Sequence, residues 1–241
     1  MFSSEHFIWI GLCALFIAAL LFISLKKSFS LRLAGYIMCG ICVVSEISKM
    51  MSDMTDGIDG GMVLDPGSLP LHLCSLLLFA IFFITFAKDS PVKSAVMDFT
   101  AVAGIIGSLC AILIPTNGTD FAKLGAYQCF VYHAGLFWFA LYLLFAGHAR
   151  LGRKAFLRNM LFLLALVLLN FYANSVLSAY GTNFMYLVRP PMKNLPFLNL
   201  DHGWFIYFLH LVSLGCGIMF FFHLPFMLHE KNRSASVTKA K

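Results

Sequence analysis

Residues 68–79 read S-L-P-L-H-L-C-S-L-L-L-F and begin an apolar run that continues to about residue 87. A run of about 20 apolar residues makes a helix long enough to cross the hydrocarbon core of a bilayer. Polar and ionisable side chains are costly in hydrocarbon, and in membrane helices they mark functional sites by default. His72 and Cys74 near the start of this run are therefore the first candidates for a functional site.

The composition of the whole chain is that of a protein that crosses a membrane several times. Of its 241 residues, 60% are hydrophobic and only 12% are charged, and the mean hydropathy is +0.85. A soluble domain has roughly 25% charged residues, so these values argue against a water-soluble fold. The net charge of +6 comes from basic residues in short loops between apolar runs, which fits membrane orientation and predicts no nucleic-acid partner.

Seven apolar runs predict seven transmembrane helices and an all-α fold. We predict a single seven-helix transmembrane domain over residues 1–230 and a polar cytoplasmic tail at residues 231–241. The N-terminus lacks a basic n-region and a small-x-small cleavage site, so the first run is predicted to be a membrane helix and not a signal peptide. The spans are approximately residues 7–25, 31–51, 69–87, 92–114, 124–146, 155–178 and 203–228.

The distribution of Lys and Arg predicts the orientation of the spans, because cytoplasmic loops carry the excess of basic residues. The set of loops that is richer in basic residues contains Lys26, Lys27, Arg32, Lys88, Lys93, Arg150, Arg153, Lys154, Arg158, Lys231, Arg233, Lys239 and Lys241. The opposite set contains Lys123, Arg189 and Lys193, with the acidic residues Asp53, Asp56, Asp59 and Asp65. We therefore expect the N-terminus outside and the C-terminus in the cytoplasm.

The polar residues inside the predicted spans fall mostly in the outer half of the membrane. They come from spans two, three, five, six and seven, and the inner half is mostly Leu, Phe, Ile and Val. This one-sided distribution predicts a polar cavity that is open toward the extracytoplasmic side. The predicted site residues are Glu46, Lys49, His72, Cys74, Gln128, His133, Asn170, Asn174, Trp204, Tyr207 and His210.

Helical spacing determines which of these side chains share a face. Glu46 and Lys49 are three residues apart and are predicted to form a structural or cavity-lining ion pair, in preference to a proton relay. His72 and Cys74 would point about 160° apart on a regular helix that starts at Pro70. Cys74 would therefore need a base from another helix, and His133 of span five lies at the best depth.

The two asparagines of span six, Asn170 and Asn174, are four residues apart and share a face. They could line the cavity, or they could only hold helices together through hydrogen bonds. In span four, Gly104 and Ser108 form a stripe of small residues that predicts close contact with a neighbouring helix.

Three stretches of the chain carry a resemblance to a known family. They are L-P-L-H-L-C-S at residues 69–75, Tyr132-His133 in span five, and Y-G-T-N-F-M-Y-L at residues 180–187. Together they resemble the YwaF-like bacterial integral membrane proteins, a seven-span family, and the resemblance covers nearly the whole chain. It implies a multi-pass protein of the cytoplasmic membrane of a bacterium.

The resemblance also implies an activity. Distant animal relatives of the family are described as seven-span membrane acyltransferases, which move fatty acyl chains between phospholipids with a cysteine and a histidine. For this chain the resemblance implies a lipid acyl-transfer site around His72, Cys74 and His133, with membrane lipids as partners. The chain departs from the animal pattern because Leu71 and Leu73 adjoin the histidine, where the animal proteins place the cysteine.

The leading hypothesis is a membrane lipid acyltransferase or a related lipid-modifying enzyme with an outward-facing polar cavity. Cys74 would attack an acyl ester as a thiolate, and His133 would accept the thiol proton. Lys49, Gln128 or Asn174 would stabilise the oxyanion or hold the lipid headgroup. This hypothesis requires no cofactor and no metal.

Two alternatives remain open at the level of sequence. The first is a small-solute binding protein or transporter, in which Glu46, Lys49 and the asparagine pair of span six recognise a small zwitterionic solute. The second is a metal-dependent protein with His72, His133 and His210 as ligands. The substrate, the acyl donor and the oligomeric state do not follow from the sequence.

Overall fold

The structure, a computed structural model, describes residues 2–56, 61–192 and 195–239. Within these residues the all-helical prediction is confirmed, with one small hairpin in addition. Asp59, Lys193 and Lys241, which the orientation prediction uses, lie outside the described residues. The helices are α1 (Ser4–Lys26), α2 (Leu31–Asp53), α3 (Leu73–Phe86), α4 (Pro91–Leu113), α5 (Leu124–Phe145), α6 (Arg153–Val176) and α7 (Trp204–Lys239).

Serine residues define the starts of three helices. Ser3, Ser30 and Ser90 precede α1, α2 and α4, and each side chain accepts a hydrogen bond from the backbone N–H three residues on, at 3.2, 3.2 and 3.1 Å. Such caps satisfy one of the backbone donors that the first helical turn leaves without a partner. All helices except α3 have bounds close to the predicted apolar runs. Among these six, α7 differs only in that it continues beyond residue 228.

Six of the seven helices are long and apolar enough to cross a membrane, and α3 is not among them. It has 14 residues, which span only about 21 Å of the roughly 30 Å of hydrocarbon. α3 begins at Leu73 and not at Pro70, where a regular helix would start, because the Leu71 N–H bonds the Leu69 carbonyl in a tight turn ahead of the helix, and the residue before a proline avoids the helical conformation. Leu69 is extended at φ −55° and ψ 146° before Pro70.

This correction changes the geometry at the start of α3. His72 is also extended, at φ −67° and ψ 151°, and is the N-cap of the helix. The angle of about 160° that a regular helix would place between His72 and Cys74 therefore does not apply. Cys74 lies in the first turn of α3, immediately after a non-helical segment.

The connector between α2 and α3 contains the short hairpin. β1 (Met54–Asp56) pairs antiparallel with β2 (Met62–Leu64), with Met54 opposite Leu64. A 3-10 turn at Pro66–Ser68 follows, in which the Asp65 carboxylate accepts the backbone N–H of Gly67 at 2.9 Å. The Gly- and Asp-rich composition of this connector predicted a loop, and the hairpin lies within it.

The helices group into two compact units, Met1–Ala149 and Arg150–Lys241. In the first unit α5 packs against α1, α2 and α4, and α3 packs against α2 and α4. The interior side chains of α5 are fully buried and include Phe130, Trp138 and Phe139. A single domain over residues 1–230 stays a prediction.

Close contact between α4 and α5 depends on a glycine of the predicted small-residue stripe. A Cβ atom at Gly104 would lie 2.9 Å from the Cβ of Ala140, which is too close for two carbon atoms. Ser108, one turn further along α4, is also fully buried. Small residues allow the backbones of membrane helices to approach, and the approach increases van der Waals contact.

The second unit consists of α6, α7 and the segment between them. His223 of α7 donates from Nδ1 to the Met219 carbonyl at 2.8 Å, which leaves Nε2 as an acceptor for the Asn159 amide of α6 at 3.1 Å. Both side chains are fully buried. This bond links the two helices inside an otherwise apolar contact, where Phe156 also packs against the His223 ring.

We expect Gly104→Ala to destabilise the first unit, because the added methyl group would force α4 and α5 apart. Overpacking of this kind costs about 1–3 kcal/mol, so the midpoint of thermal unfolding in detergent should fall by about 3–10 °C. Gly40→Ala in α2 is the matched control, because a Cβ atom there meets nothing within 4 Å. An equal effect of both substitutions would contradict the role of Gly104.

Candidate functional site

The predicted ion pair on α2 is present. The Lys49 Nζ atom lies 2.8 Å from the Glu46 Oε1 atom, and the two side chains are 16% and 26% exposed. Lys49 is also the charged neighbour of His72, at the start of α3. The ion pair therefore lies beside the segment that carries Cys74.

Gln128, near the start of α5, connects α5 to α2 and to the loop before α5. Its amide nitrogen donates to the hydroxyl of the buried Ser45 at 2.8 Å. Its carbonyl oxygen accepts from the Asn117 amide at 3.4 Å. Asn117 also lines a pocket of about 360 Å³ where α2 ends and α5 begins, together with Asp53 and Lys123.

The backbone of Cys74 is held by α5. The Tyr132 hydroxyl donates to the Cys74 carbonyl oxygen at 2.6 Å, and the tyrosine side chain is buried. The Cys74 thiol is directed toward α4, since a Cβ atom at Gly107 would lie 3.1 Å from its Sγ atom. Three helices thus meet at the first turn of α3.

The His133 ring has a defined tautomer. Its Nδ1 atom lies 2.6 Å from the Cys129 carbonyl oxygen, and a carbonyl oxygen can only accept, so Nδ1 carries the hydrogen. In the neutral ring Nε2 is then the unprotonated nitrogen, which can accept a proton. The ring is half-buried and stands edge-to-face against Tyr132, with centroids 5.2 Å apart.

These residues form one polar cluster within the first unit, which we call the α2–α3–α5 cluster. The structure brings together there the predicted residues of spans two, three and five, and adds Tyr132, Ser45 and Gly107, which sequence reasoning did not select. A buried tyrosine hydroxyl usually has a hydrogen-bond partner, so Tyr132 was recognisable in principle. The members of the cluster are Ser45, Glu46, Lys49, His72, Cys74, Gly107, Gln128, Tyr132 and His133.

The predicted site residues of α6 bind the backbone between α6 and α7. The Asn174 amide donates to the Phe184 carbonyl at 3.1 Å, and its oxygen accepts the Phe184 N–H at 2.8 Å. The Asn170 amide donates to Leu166 of its own helix at 2.9 Å and lies 3.2 Å from the Met185 sulfur. Asn174 therefore satisfies both backbone groups of one buried residue.

The predicted site residues of α7 bind the same connecting segment. The indole N–H of Trp204 donates to the Leu187 carbonyl at 2.9 Å. The Tyr207 hydroxyl donates to the Tyr186 carbonyl, and His210 Nδ1 donates to the Phe197 carbonyl at 2.7 Å. A role of these side chains in binding a substrate stays a prediction, because the bonds described here go to backbone.

The bound segment has an unusual backbone. Met185 and Tyr186 are consecutive left-handed residues at φ 54° and φ 56°, and Phe197 has φ 64°. Side chains with a Cβ atom adopt this region rarely, and each case costs of the order of 1–3 kcal/mol. The hydrogen bonds from α6 and α7 end on or beside these three residues, so they hold the strained conformation in place.

No group of three or more His, Cys, Asp or Glu side chains that could hold a metal occurs among the described residues. His72 and His133 belong to the first unit, and His210 belongs to the second. His210 donates to a backbone carbonyl through one ring nitrogen. The metal-dependent alternative stays a prediction.

We expect Asn174→Leu to release the segment at residues 178–192, because the Phe184 N–H and carbonyl would both lose their partner. An unsatisfied buried polar group costs about 1–3 kcal/mol, so amide hydrogen exchange in this segment should accelerate at least tenfold. Ser175→Ala, at an exposed position one residue on, should leave exchange unchanged. Equal protection in the Asn174 variant would contradict the anchoring role.

Comparison with known proteins assigns the chain to a family. A model of the TMEM164 family matches residues 1–223. Comparison with curated proteins and with solved structures gives no match. The resemblance to the YwaF-like proteins, and the acyl-transfer chemistry that it implies, stays a prediction. A match over nearly the whole length, together with six helices that are long and apolar enough to cross a bilayer, shows that this multi-pass membrane protein belongs to the TMEM164 family.

Proposed function

We propose that the protein is a membrane lipid acyltransferase whose reacting group is the thiol of Cys74 in the α2–α3–α5 cluster. Two considerations support this proposal. The first is the implied relation to seven-span acyltransferases. The second, and the observation that carries the proposal, is the position of Cys74 in the first turn of α3, next to groups that can bind charge.

The first turn of a helix offers backbone N–H groups that have no carbonyl four residues before them. His72, the N-cap of α3, makes no side-chain cap hydrogen bond to them. The amides of Leu73, Cys74 and Ser75 can therefore donate to an oxygen that becomes negative during the reaction. Such donors stabilise a tetrahedral intermediate, and losing one costs about 10²–10³ in rate.

The reaction would proceed in two steps. The Cys74 sulfur forms a bond to the acyl carbonyl carbon of a phospholipid ester while its proton passes to His133. The ester C–O bond then breaks, the proton goes to the departing lysophospholipid oxygen, and a thioester remains. In the second step the hydroxyl oxygen of an acceptor lysophospholipid attacks the thioester while His133 accepts its proton, the C–S bond breaks, and that proton passes to the Cys74 sulfur to restore the thiol.

A base is needed because a thiolate in apolar surroundings is costly. The tautomer of His133 leaves Nε2 able to accept a proton. His133 follows Tyr132 in the chain, and the Tyr132 hydroxyl donates to the Cys74 carbonyl. His133 itself donates to the carbonyl of Cys129, and Cys129 is an ionisable neighbour of the Cys74 thiol. In this proposal α5 therefore supplies both the base and the residue that positions the nucleophile.

The cationic and amide groups of the cluster would hold the lipid headgroup. Lys49 of α2 is a charged neighbour of His72 at the start of α3, and α2 packs against α3; a lysine ammonium binds a phosphate as a point charge. Glu46 lies against Lys49 and would hold the lysine in place between turnovers. Gln128 and the pocket at Asp53 and Lys123 would form the path from the membrane surface.

We expect Cys74→Ser and His133→Ala each to lower the rate of acyl exchange between phospholipids at least 100-fold, because the nucleophile or its base is lost. The measurement is transfer of a labelled acyl chain to a lysophospholipid by purified full-length protein in lipid vesicles. Cys216→Ser is the matched control, because Cys216 is a half-buried free thiol of α7, outside the α2–α3–α5 cluster, and we expect unchanged activity.

Tyr132→Phe tests the positioning role separately. It removes only the hydroxyl that bonds the Cys74 carbonyl, and we expect an activity loss of roughly tenfold, measured below the variant's melting temperature, which falls by a few degrees because the carbonyl loses its partner. Full activity of both the Cys74 and the His133 variants would overturn the cysteine mechanism.

We also propose that α3 completes a seventh crossing, with the extended residues before it, in the cytoplasmic membrane of a bacterium. The N-terminus would then lie outside and the C-terminus inside, as the basic loops predict. Irregular backbone at membrane depth is tolerated where protein surrounds it, and the segment before α3 carries the hydrogen-bonded turn from Leu69 to Leu71.

An odd number of crossings places the two termini on opposite sides of the membrane. We therefore expect a C-terminal green fluorescent protein fusion to fluoresce and a C-terminal alkaline phosphatase fusion to be inactive. A cysteine introduced before Ser3 should react with a membrane-impermeant maleimide in intact cells. Termini on the same side would show that α3 does not cross.

A further inference from the structure

The Cys74 thiol faces α4 at a glycine, and the space beside the sulfur holds no side chain of that glycine. A Cβ atom at Gly107 would lie 3.1 Å from the Cys74 Sγ atom, which is closer than carbon and sulfur approach without a bond. Among the described residues, and apart from the backbone of α4 and the two chain neighbours, no other atom lies within 4 Å of that position. The missing side chain of Gly107 therefore leaves room at the sulfur.

Gly107 differs in this respect from Gly104, the glycine three residues before it on α4. A Cβ atom at Gly104 would meet Ala140 at 2.9 Å and also Leu136, both on the packed helix α5. Gly104 is needed for the contact of two helices, and it is fully enclosed. Gly107 is only half-buried, and the one side chain that it meets is the proposed nucleophile. Helix packing therefore does not account for the glycine at residue 107.

The space beside Gly107 leads toward the outer surface of α4. Residues three apart are neighbours on a helix surface, and Cys110, three residues after Gly107, is exposed. Cys110 is also an ionisable neighbour of the Cys74 thiol. Leu113, the next residue at this spacing, is 37% exposed. Because α4 is a candidate membrane span, this surface would face the acyl chains of the bilayer.

Polarity is divided around the first turn of α3, against which both α2 and α4 pack. On the side of α4 the thiol meets Gly107 and Cys110. A phospholipid ester has the same division, with a charged headgroup on one side of the reacting carbonyl carbon and an apolar chain on the other. The charged and amide side chains of the α2–α3–α5 cluster come from α2 and α5, and they are Glu46, Lys49 and Gln128.

We propose, on the basis of the proposed acyl transfer, that the acyl chain of the lipid donor lies against Gly107 between α3 and α4, and that Gly107 determines which acyl groups react. When the Cys74 sulfur is bonded to the acyl carbonyl carbon, the chain leaves the sulfur through the space that a side chain at residue 107 would fill. The chain then reaches the thiol directly from the bilayer. A Cβ atom at residue 107 excludes long chains and still admits a small group.

The first test measures the space beside the sulfur without any acyl transfer. Methyl and octyl methanethiosulfonate each pass an alkylthio group to a thiolate and release methanesulfinate, and peptide mass spectrometry of the purified full-length protein gives the rate at Cys74. We expect Gly107→Ala to slow the octyl reagent about tenfold, because the added methyl group occupies the place of the chain. The methyl reagent should change by less than about threefold, so the ratio of the two rates falls.

Gly135→Ala is the matched control, because it adds the same methyl group to a tight helix contact away from the thiol. A Cβ atom at Gly135 of α5 would lie 3.0 Å from the Ile41 side chain of α2, and the ratio of the two rates at Cys74 should stay within about twofold. An unchanged ratio in the Gly107 variant, or an equal fall in both variants, would overturn the proposal. Cys110→Phe covers the case in which Gly107→Ala misfolds, because Cys110 is exposed. It should slow the octyl reagent at Cys74 about fivefold, and no slowing would overturn the proposed path.

The second test uses acyl transfer to a lysophospholipid from donors with butanoyl or hexadecanoyl chains, and it separates this proposal from the proposed function. We expect Gly107→Ala to lower hexadecanoyl transfer about tenfold relative to butanoyl transfer. Transfer by the native protein with an unchanged ratio in the variant would overturn the role of Gly107 and leave the proposed function standing. No transfer by the native protein would overturn the proposed function, whereas the alkylation rates would still decide whether an apolar chain fits beside Gly107.

Discussion

Hydrocarbon offers no hydrogen-bond partners, so each polar group on these helices has to find its partner inside the protein. In the first unit the requirement is met between helices: Gln128 bonds Ser45, and Tyr132 bonds the Cys74 carbonyl. In the second unit it is met between helices and connecting backbone, above all by Asn174 on Phe184. The same physical constraint thus gives a cluster of side chains in one unit and an anchored segment in the other.

α5 has the central place in the first unit. It is fully buried along much of its length, and it approaches α4 closely because Gly104 faces Ala140. A helix so enclosed has few ways to move, and side chains on it are held accurately. Tyr132 and His133 are neighbours on this helix, directly before its most buried stretch at residues 134–143, so the proposed chemistry takes both groups from this enclosed helix. Positioning of reacting groups depends on such rigid support.

Much of the fold follows from the sequence, because a long apolar run has few alternatives to a helix and serine caps mark where three helices begin. The start of α3 at Leu73 did not follow from the sequence, because hydropathy carries no information on the turn from Leu69 to Leu71. The ion pair of Glu46 and Lys49 followed from helical spacing. The hydrogen-bond partners of Asn174 and Tyr207 did not follow from the sequence. Helical spacing shows which side chains share a face, but it does not show which distant backbone groups need a hydrogen-bond partner.

The consecutive left-handed residues Met185 and Tyr186 have a consequence for the order in which the second unit forms. Their backbone is held by Asn174 from one helix and by Tyr207 from the other, and neither helix alone supplies both sets of bonds. The segment can therefore reach this conformation only after α6 and α7 have come together. It should be the last part of that unit to become ordered during biogenesis, and its protection from exchange would report that the helical hairpin is complete.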